Sequence, residues 1–447
     1  MRLIKKFQSN NFILKIPESQ DRITTSAIIG ANGSGKSRLL GEIARCFISG
    51  EYGSPELNGG QIDINEITSV LAISNIAIDS FPFPSKLDQS YRYLGLRRAA
   101  NAVFSGTVKT IIDNNLFYIL NLRTDLIKNL NNIFKYLNIT DCRSTLRIID
   151  RKPIKYPDPK QFKTNFENRL GFHNPEYNDY AIGEIYNVLI KCIDEINNIP
   201  SVRTNQKEQF YDLQNEAEGN YLNQIAINFM NILSEFKFTV DQSVRVMLRY
   251  LNLVPESEFE IKNEISTGKL ITSQFSAGQQ LLIATCLRVL NYVRNNSLIL
   301  IDEPETGLHP EWELKFIDIV KDIIPENYNV HMVIATHSPY VASNADAVIY
   351  SSTPGVFDNY FSGYEEFTIN NILYSVFNTP IFGNYGIYKD LELVTQWISQ
   401  SKINPVLNSS VTSAVNRLKN TDGESSMVVQ GIIKEYESAV INLNEEL

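Results

Sequence analysis

The sequence predicts an α/β fold with a mainly parallel sheet, a helical insertion and a helical C-terminal region. Three observations predict it. Apolar runs without polar alternation, Ala27–Ile29, Ser297–Ile301 and Met332–Ala335, have the character of strands buried on both faces. The first is followed by helical spacing at Leu39, Leu40, Ile43, Ala44 and Phe47. Lys36 and Ser276 lie 240 positions apart (276 − 36), more than strand–helix alternation needs, so an insertion is expected between them.

The first strand leads into Gly30-Ala31-Asn32-Gly33-Ser34-Gly35-Lys36-Ser37, which fits G-x-x-x-x-G-K-[ST] in the strand–loop–helix setting that motif requires. The glycines (Gly30, Gly33, Gly35) let the backbone curl. The N–H groups of Asn32, Ser34 and their neighbours then face a polyphosphate, and the following helix adds its dipole. Lys36 is expected on the β and γ phosphates of ATP, and Ser37 on Mg²⁺.

The second strand ends in Asp302-Glu303. A carboxylate at a strand tip suits Mg²⁺, which assigns Asp302 to the metal beside Ser37. Glu303 is assigned the polarisation of the attacking water. His337, after the third strand, is expected to sense the γ-phosphate. The catalytic set is thus Glu303, His337 and Lys36. Phe275-Ser276-Ala277-Gly278-Gln279 precedes a helix predicted over residues 280–293, so Ser276 and Gly278 lie at its positive end.

With this element one helix before the acidic strand, the chain resembles the ABC-type P-loop ATPases. The resemblance implies that Ser276, Gly278 and Gln279 complete the nucleotide site of a second copy. Two chains then enclose two ATP molecules in a homodimer or higher homo-oligomer. Pro304-Glu305-Thr306-Gly307-Leu308-His309-Pro310 stands where transporter subunits carry a segment like PTSALD; here it is similar to RecF-like, SMC-like and OLD-like ATPases. Ser74-Asn75, Asp79-Ser80-Phe81-Pro82 and Tyr91–Arg97 look like the ATPase subunits of anti-phage systems, Septu-type and retron-associated. That resemblance implies an ATP-hydrolysing subunit that senses or clamps nucleic acid and controls a separate nuclease or toxin. The alternatives are a transporter-type ATPase subunit and a DNA-repair ATPase.

On this reading residues 1–105 form the first part of the ATPase head and 106–255 a mainly helical insertion. Residues 256–355 return to the head, and 356–447 form a helical region able to dock a partner. Within the insertion, Ile182, Ile185, Leu189, Cys192, Ile193 and Ile196 recur at helical spacing. Val108, Ile111 and Ile112 are expected on one helix face, and Leu122, Leu126, Leu130 and Ile133 on another. Residues 369–377, 391–399 and 431–443 read as helices.

The glutamine that couples nucleotide to lobe movement has no clear equivalent: Gln61, Gln89 and Ser74-Asn75 are the candidates. Phe7 and Phe12 are offered either to adenine or to the core. Arg143, Arg147, Arg151, Lys152, Lys155, Lys160 and Lys163, interleaved with Tyr156, Phe162 and Phe166, admit two readings, a nucleic-acid track or a solvated surface. Arg92, Arg97 and Arg98 form a second such cluster. The net charge of −9 argues against coating nucleic acid with the whole surface. No D-x-D pair and no cysteine–histidine cluster suggests a nuclease in this chain. Four scattered cysteines and the lack of a membrane-length apolar run imply a cytoplasmic protein with no membrane partner.

Overall fold

The computed structural model describes residues 3–48, 61–64, 66–76, 78–83, 90–97, 106–148, 153–169, 179–199, 216–235, 240–262, 267–361, 368–377, 385–401, 409–419 and 427–445. The chain begins with β1 (Ile4–Gln8), β2 (Ile13–Lys15), β3 (Ile23–Ile29), α1 (Lys36–Arg45), β4 (Gln61–Ile64), β5 (Ser69–Ser74) and β6 (Tyr91–Tyr93). The insertion follows as α2 (Thr107–Leu122), α3 (Ile127–Tyr136), β7 (Ile139–Ile148), α4 (Pro159–Arg169), α5 (Asp179–Asn197), α6 (Glu216–Glu235) and α7 (Val240–Leu251). Next come β8 (Leu253–Lys262), β9 (Thr267–Ile271), α8 (Ala277–Tyr292), β10 (Ser297–Asp302), α9 (Pro310–Ile323), β11 (Val330–Thr336), α10 (Pro339–Ser343), β12 (Ala347–Thr353) and β13 (Val356–Tyr360). The last helices are α11 (Ile369–Phe377), α12 (Tyr385–Ser401), α13 (Ser409–Lys419) and α14 (Met427–Glu445).

Ten strands form one sheet in the order β4-β1-β2-β13-β12-β3-β11-β10-β5-β6. From β12 to β6 every pair is parallel. The other end is mixed, with antiparallel β12–β13, β1–β2 and β1–β4. This is the mainly parallel α/β sheet that the apolar runs predict. Along its central strands alternate residues serve opposite faces. Ala27, Ile29, Ile299, Ile301, Met332 and Ile334 face the core shared with α2, α3, α8 and α9. Ile28, Leu298, Leu300, Val333 and Ala335 face the core shared with α1, β1 and β2.

Register decides where the chemistry sits. Asp302 pairs with Ser74 on one side and Ala335 on the other, and Thr336 pairs with Ile29. The loops after β3, β5, β10 and β11 therefore leave the sheet at one edge, the C-terminal ends of parallel strands, where α/β folds place their ligands.

The insertion has its own core, in which Ile182, Ile185, Leu189, Cys192, Ile193 and Ile196 of α5 meet Phe229 and Leu233 of α6. Leu126, Leu130 and Ile133 pack on the head core, but Leu122 packs on the insertion core. The reason is that α2 ends at Leu122 and the chain turns at Thr124–Leu126 before α3. The insertion region also contains β7, which helical periodicity did not predict; it joins β8 and β9 in a second, antiparallel sheet. A fourth core around Trp397, Val411, Val415 and Tyr436 unites α11 to α14.

Candidate functional site

The glycine loop and its lysine are shaped by local sterics. Gly33 and Gly35 have φ of 81° and 95°, where a side chain is strained. A Cβ at Gly35 would stand 2.7 Å from Cε1 of Phe12, so the loop lies directly on that ring. Lys36 is buried and its ammonium donates to the carbonyls of Gly30 (2.9 Å) and Ala31 (3.3 Å). Burial pushes its pKa down to about 8, against the opposing pull of Glu303, Glu305 and Asp302. Nζ also stands 3.0 Å from Nε2 of His337.

The acidic strand meets this loop through one hydrogen bond: the Ser37 hydroxyl donates to Oδ1 of Asp302 at 2.8 Å. Oδ2 of Asp302 is buried with no hydrogen-bond partner. Burial raises the Asp302 pKa to about 7; the Ser37 bond opposes this, and the charges of Glu303, Asp79 and Glu305 add to it. An unpartnered carboxylate oxygen beside a hydroxyl is a donor set that fits a divalent cation, with phosphate oxygens and water as the remaining ligands.

Glu303 adopts φ of 47°, a left-handed conformation uncommon for a residue with a side chain. The turn aims its carboxylate at the same edge, with Oε1 3.6 Å from Nε2 of His337. The His337 pKa is lowered, first by burial and then by the Lys36 charge, which favours a neutral imidazole able to accept from an ammonium. Glu305, absent from the sequence-based set, accepts the His337 backbone N–H at 2.6 Å and so fixes the loop that carries the imidazole. Its sequence signal was the third carboxylate of Asp302-Glu303-Pro304-Glu305.

Lys36, Ser37, Asp302, Glu303 and His337 thus converge within one chain. Ser276, Gly278 and Gln279 occupy the start of α8. Ser276 and Gln279 form a reciprocal cap: the Gln279 N–H donates to the Ser276 hydroxyl (3.2 Å) and the Ser276 N–H to Oε1 of Gln279 (3.0 Å). A Cβ on Gly278 would lie 2.4 Å from the Gly307 carbonyl, so that glycine permits contact between α8 and the loop after β10. Ser276 itself is exposed.

The remaining candidates separate. Gln61 lies on β4 at the far edge of the sheet, and Gln89 lies outside the described residues. Ser74 lies beside Asp302, and Oδ1 of Asn75 accepts from Arg288 (2.9 Å) and Thr285 (3.2 Å) of α8. Phe7 and Phe12 are both buried, which assigns them to the core. Arg97 is bound to Asp79 (2.6 Å) and Arg92 lies over the Tyr292 ring, while Arg98 is outside the described residues. In the other cluster Phe162 is buried between Tyr186 and Tyr250, so it cannot stack on a base. Arg143 and Arg147 lie on the exposed face of β7, near Asp141 (3.8 Å) and Glu256 (3.5 Å). Arg151 and Lys152 are outside the described residues.

The chain is similar to several known proteins. Residues 204–343 match a family model described as "AAA domain, putative AbiEii toxin, Type IV TA system". The chain is 24% identical over 372 residues to the retron Vc95 probable ATPase of Vibrio cholerae serotype O1 biovar El Tor, covering 75% of this chain and 69% of that one. It is 25% identical over 158 residues to the Septu protein PtuA of Bacillus thuringiensis, covering 31% and 38% respectively. An ATP-binding cassette of an ABC transporter, MJ1267 in its ADP conformation, aligns at 13% identity and a TM-score of 0.32, covering 84% of this chain and 97% of that one. The resemblance to P-loop ATPases of the defence type, drawn from short motifs, extends in the retron relative to three quarters of the chain.

Proposed function

We propose that the chain binds and hydrolyses ATP with Mg²⁺, closes head to tail on a second copy, and so controls a separate nuclease or toxin in a defence complex. The observation that carries this reading is the convergence of Lys36, Ser37, Asp302, Glu303 and His337 at the ends of neighbouring strands. Lys36 and the loop N–H groups hold the β and γ phosphates. Ser37 and Asp302 hold Mg²⁺, whose charge offsets that developing on the phosphates. Glu303 accepts a proton from the attacking water as the water oxygen bonds to the γ-phosphorus and the bond from that phosphorus to the β,γ-bridging oxygen breaks, releasing ADP. His337 accepts from Lys36 and would sense the γ-phosphate that Lys36 holds. Ser276, exposed at the positive end of α8, serves the site of the other copy.

The names of the relatives support the defence setting, and the resemblance to defence ATPase subunits is what implies a separate effector. Among the described residues no helix is long and apolar enough to cross a membrane; the long stretch between Lys36 and Ser276 and the Gly307-Leu308-His309-Pro310 segment stand against a transporter-type subunit. For contact with nucleic acid the cluster gives mixed support: Tyr156 is exposed, but Phe162 is buried and Arg143 and Arg147 have acidic neighbours.

The test is Glu303→Gln. The amide cannot take the proton from water, so turnover should fall by about 10²-fold or more while ATP binding persists. Single-turnover hydrolysis and equilibrium binding of a fluorescent ATP analogue read the two quantities separately. Turnover at the wild-type rate would remove Glu303 from this role.

A further inference from the structure

The head and the insertion meet at a buried carboxylate that the ATP chemistry does not use. Asp113 lies on α2, almost wholly buried. Its Oδ2 accepts from Nζ of Lys109 one turn earlier, at 2.6 Å. Its Oδ1 accepts from the hydroxyl of Thr272, itself buried, at 2.5 Å. Ser257 of β8, whose hydroxyl donates to Ser144 of β7 (3.3 Å), and Cys142 of β7 both lie close enough to interact with the carboxylate. Thr272 opens the helical turn Thr272–Gln274, which leads directly into Phe275 and Ser276. Three bodies therefore share this one group: the first insertion helix, the three-stranded sheet and the segment that delivers the signature serine.

The same helix is pinned to the other end of α8, where Nδ2 of Asn291 donates to Oδ1 of Asn115 at 2.5 Å. Its apolar residues divide between two cores. Ile112, Leu116 and Ile119 pack in the head, and Phe117 is buried in the insertion. Seated in both cores, α2 is bonded from its middle turn to the turn that precedes α8, through Asp113, and to the last turn of α8, through Asn115, which couples the insertion to that helix. Breaking the Asp113–Thr272 contact would leave a buried carboxylate short of a donor, a cost large enough to hold the turn in place.

We infer that Asp113 is a positioning residue for Ser276, acting through Thr272, so that the position of the insertion sets how well α8 meets the nucleotide of the other copy. This rests on the two-copy reading of Ser276 proposed above. It adds that the insertion governs closure without touching ATP.

The experiment uses the full chain carrying Glu303→Gln, with Thr272→Val or Thr272→Ser added. Binding of a fluorescent ATP analogue is measured at concentrations where the chain is monomeric. Dimerisation with ATP and Mg²⁺ is measured by sedimentation. Thr272→Val, which keeps the shape and removes the donor, should leave monomer binding within about twofold and weaken dimerisation about tenfold or more. Thr272→Ser, which keeps the donor, should restore dimerisation. Loss of ATP binding together with dimerisation would mean a purely structural role and would overturn the inference, as would a Val variant that dimerises like its parent. If Thr272→Val melts well below the parent, Asp113→Asn carries the comparison, with the same split expected and a uniform loss again overturning it. Failure of the parent Glu303→Gln chain to dimerise with ATP would instead overturn the two-copy reading, and this inference with it.

Discussion

At the scale of single residues, the site depends on positions where a side chain must be absent as much as on those where one acts. Gly33 and Gly35 both hold positive φ, but only Gly35 touches a neighbour, the Phe12 ring. Alanine at Gly33 meets dihedral strain alone, about 1 kcal/mol. Alanine at Gly35 meets the strain and a ring that is itself packed in the core, about 2–4 kcal/mol together. Urea denaturation of the two variants should therefore rank Gly35→Ala as the less stable, and equal midpoints would refute the account of Phe12. The phosphate loop, Asp302, Glu303 and His337 were all legible in sequence because each is the polar end of an apolar strand. Glu305 and Asp79 were not assigned roles. They act by accepting from the backbone N–H of His337 and of Phe81, and nothing in the identity of the donor residue marks such a bond. Asn75 was offered as part of the coupling-glutamine equivalent, but its bonds to Arg288 and Thr285 were not legible, since those partners lie more than two hundred positions away.

At the scale of elements, what could be read depended on the period of burial. The parallel strands β3, β10 and β11 and the helix α5 have clean patterns and were found from sequence, whereas the parallel strands β5 and β6 were not. The strand β7 was hidden because its exposed positions include Arg143 and Arg147, which suggested a basic track, while its buried positions Ser144, Leu146 and Ile148 alternate with them. Alternation explains the arginines as the outer face of a strand. The mixed end of the sheet was illegible because strands as short as β2 and β13 carry little pattern, and their pairing is fixed by contacts distant in sequence. One such contact is His331 on β11, wholly buried, whose Nδ1 accepts from the Ile4 N–H (3.3 Å) and whose Nε2 lies 3.0 Å from the Ser26 hydroxyl. It ties β1 to β3 across the sheet, far from the phosphates. His331→Phe should remove both interactions and cost about 2–4 kcal/mol, with nucleotide affinity unchanged wherever the chain is folded. A chemical denaturation midpoint equal to wild type would show that the imidazole does not join these strands.

At the scale of the whole molecule, the arrangement explains why the catalytic residues and the signature serine are so far apart in sequence. Lys36, Asp302, Glu303 and His337 lie at strand ends that share one edge of the sheet, whereas Ser276 caps a helix bonded both to Asn75 after β5 and to Asn115 of α2. The helix α8 is held in the head core by Leu282, Ile283, Leu287 and Leu290. In the proposed dimer, two copies related by a twofold axis would each lend Ser276 to the other without repacking that core. That arrangement makes a complementation test decisive. Lys36→Ala removes the phosphate grip from its own site, and Ser276→Arg blocks the surface lent to the other; each variant alone should lack turnover. Mixed in equal amounts, half of the dimers combine one of each, and in these the intact phosphate loop of one chain faces the intact serine of the other. One working site of two, in half of the dimers, predicts recovery of roughly a quarter of wild-type hydrolysis. No recovery from a mixture of folded, ATP-competent Ser276→Arg chains with Lys36→Ala chains would mean that Ser276 is not shared between copies. Full activity of Ser276→Arg on its own would mean that each site is complete within its chain.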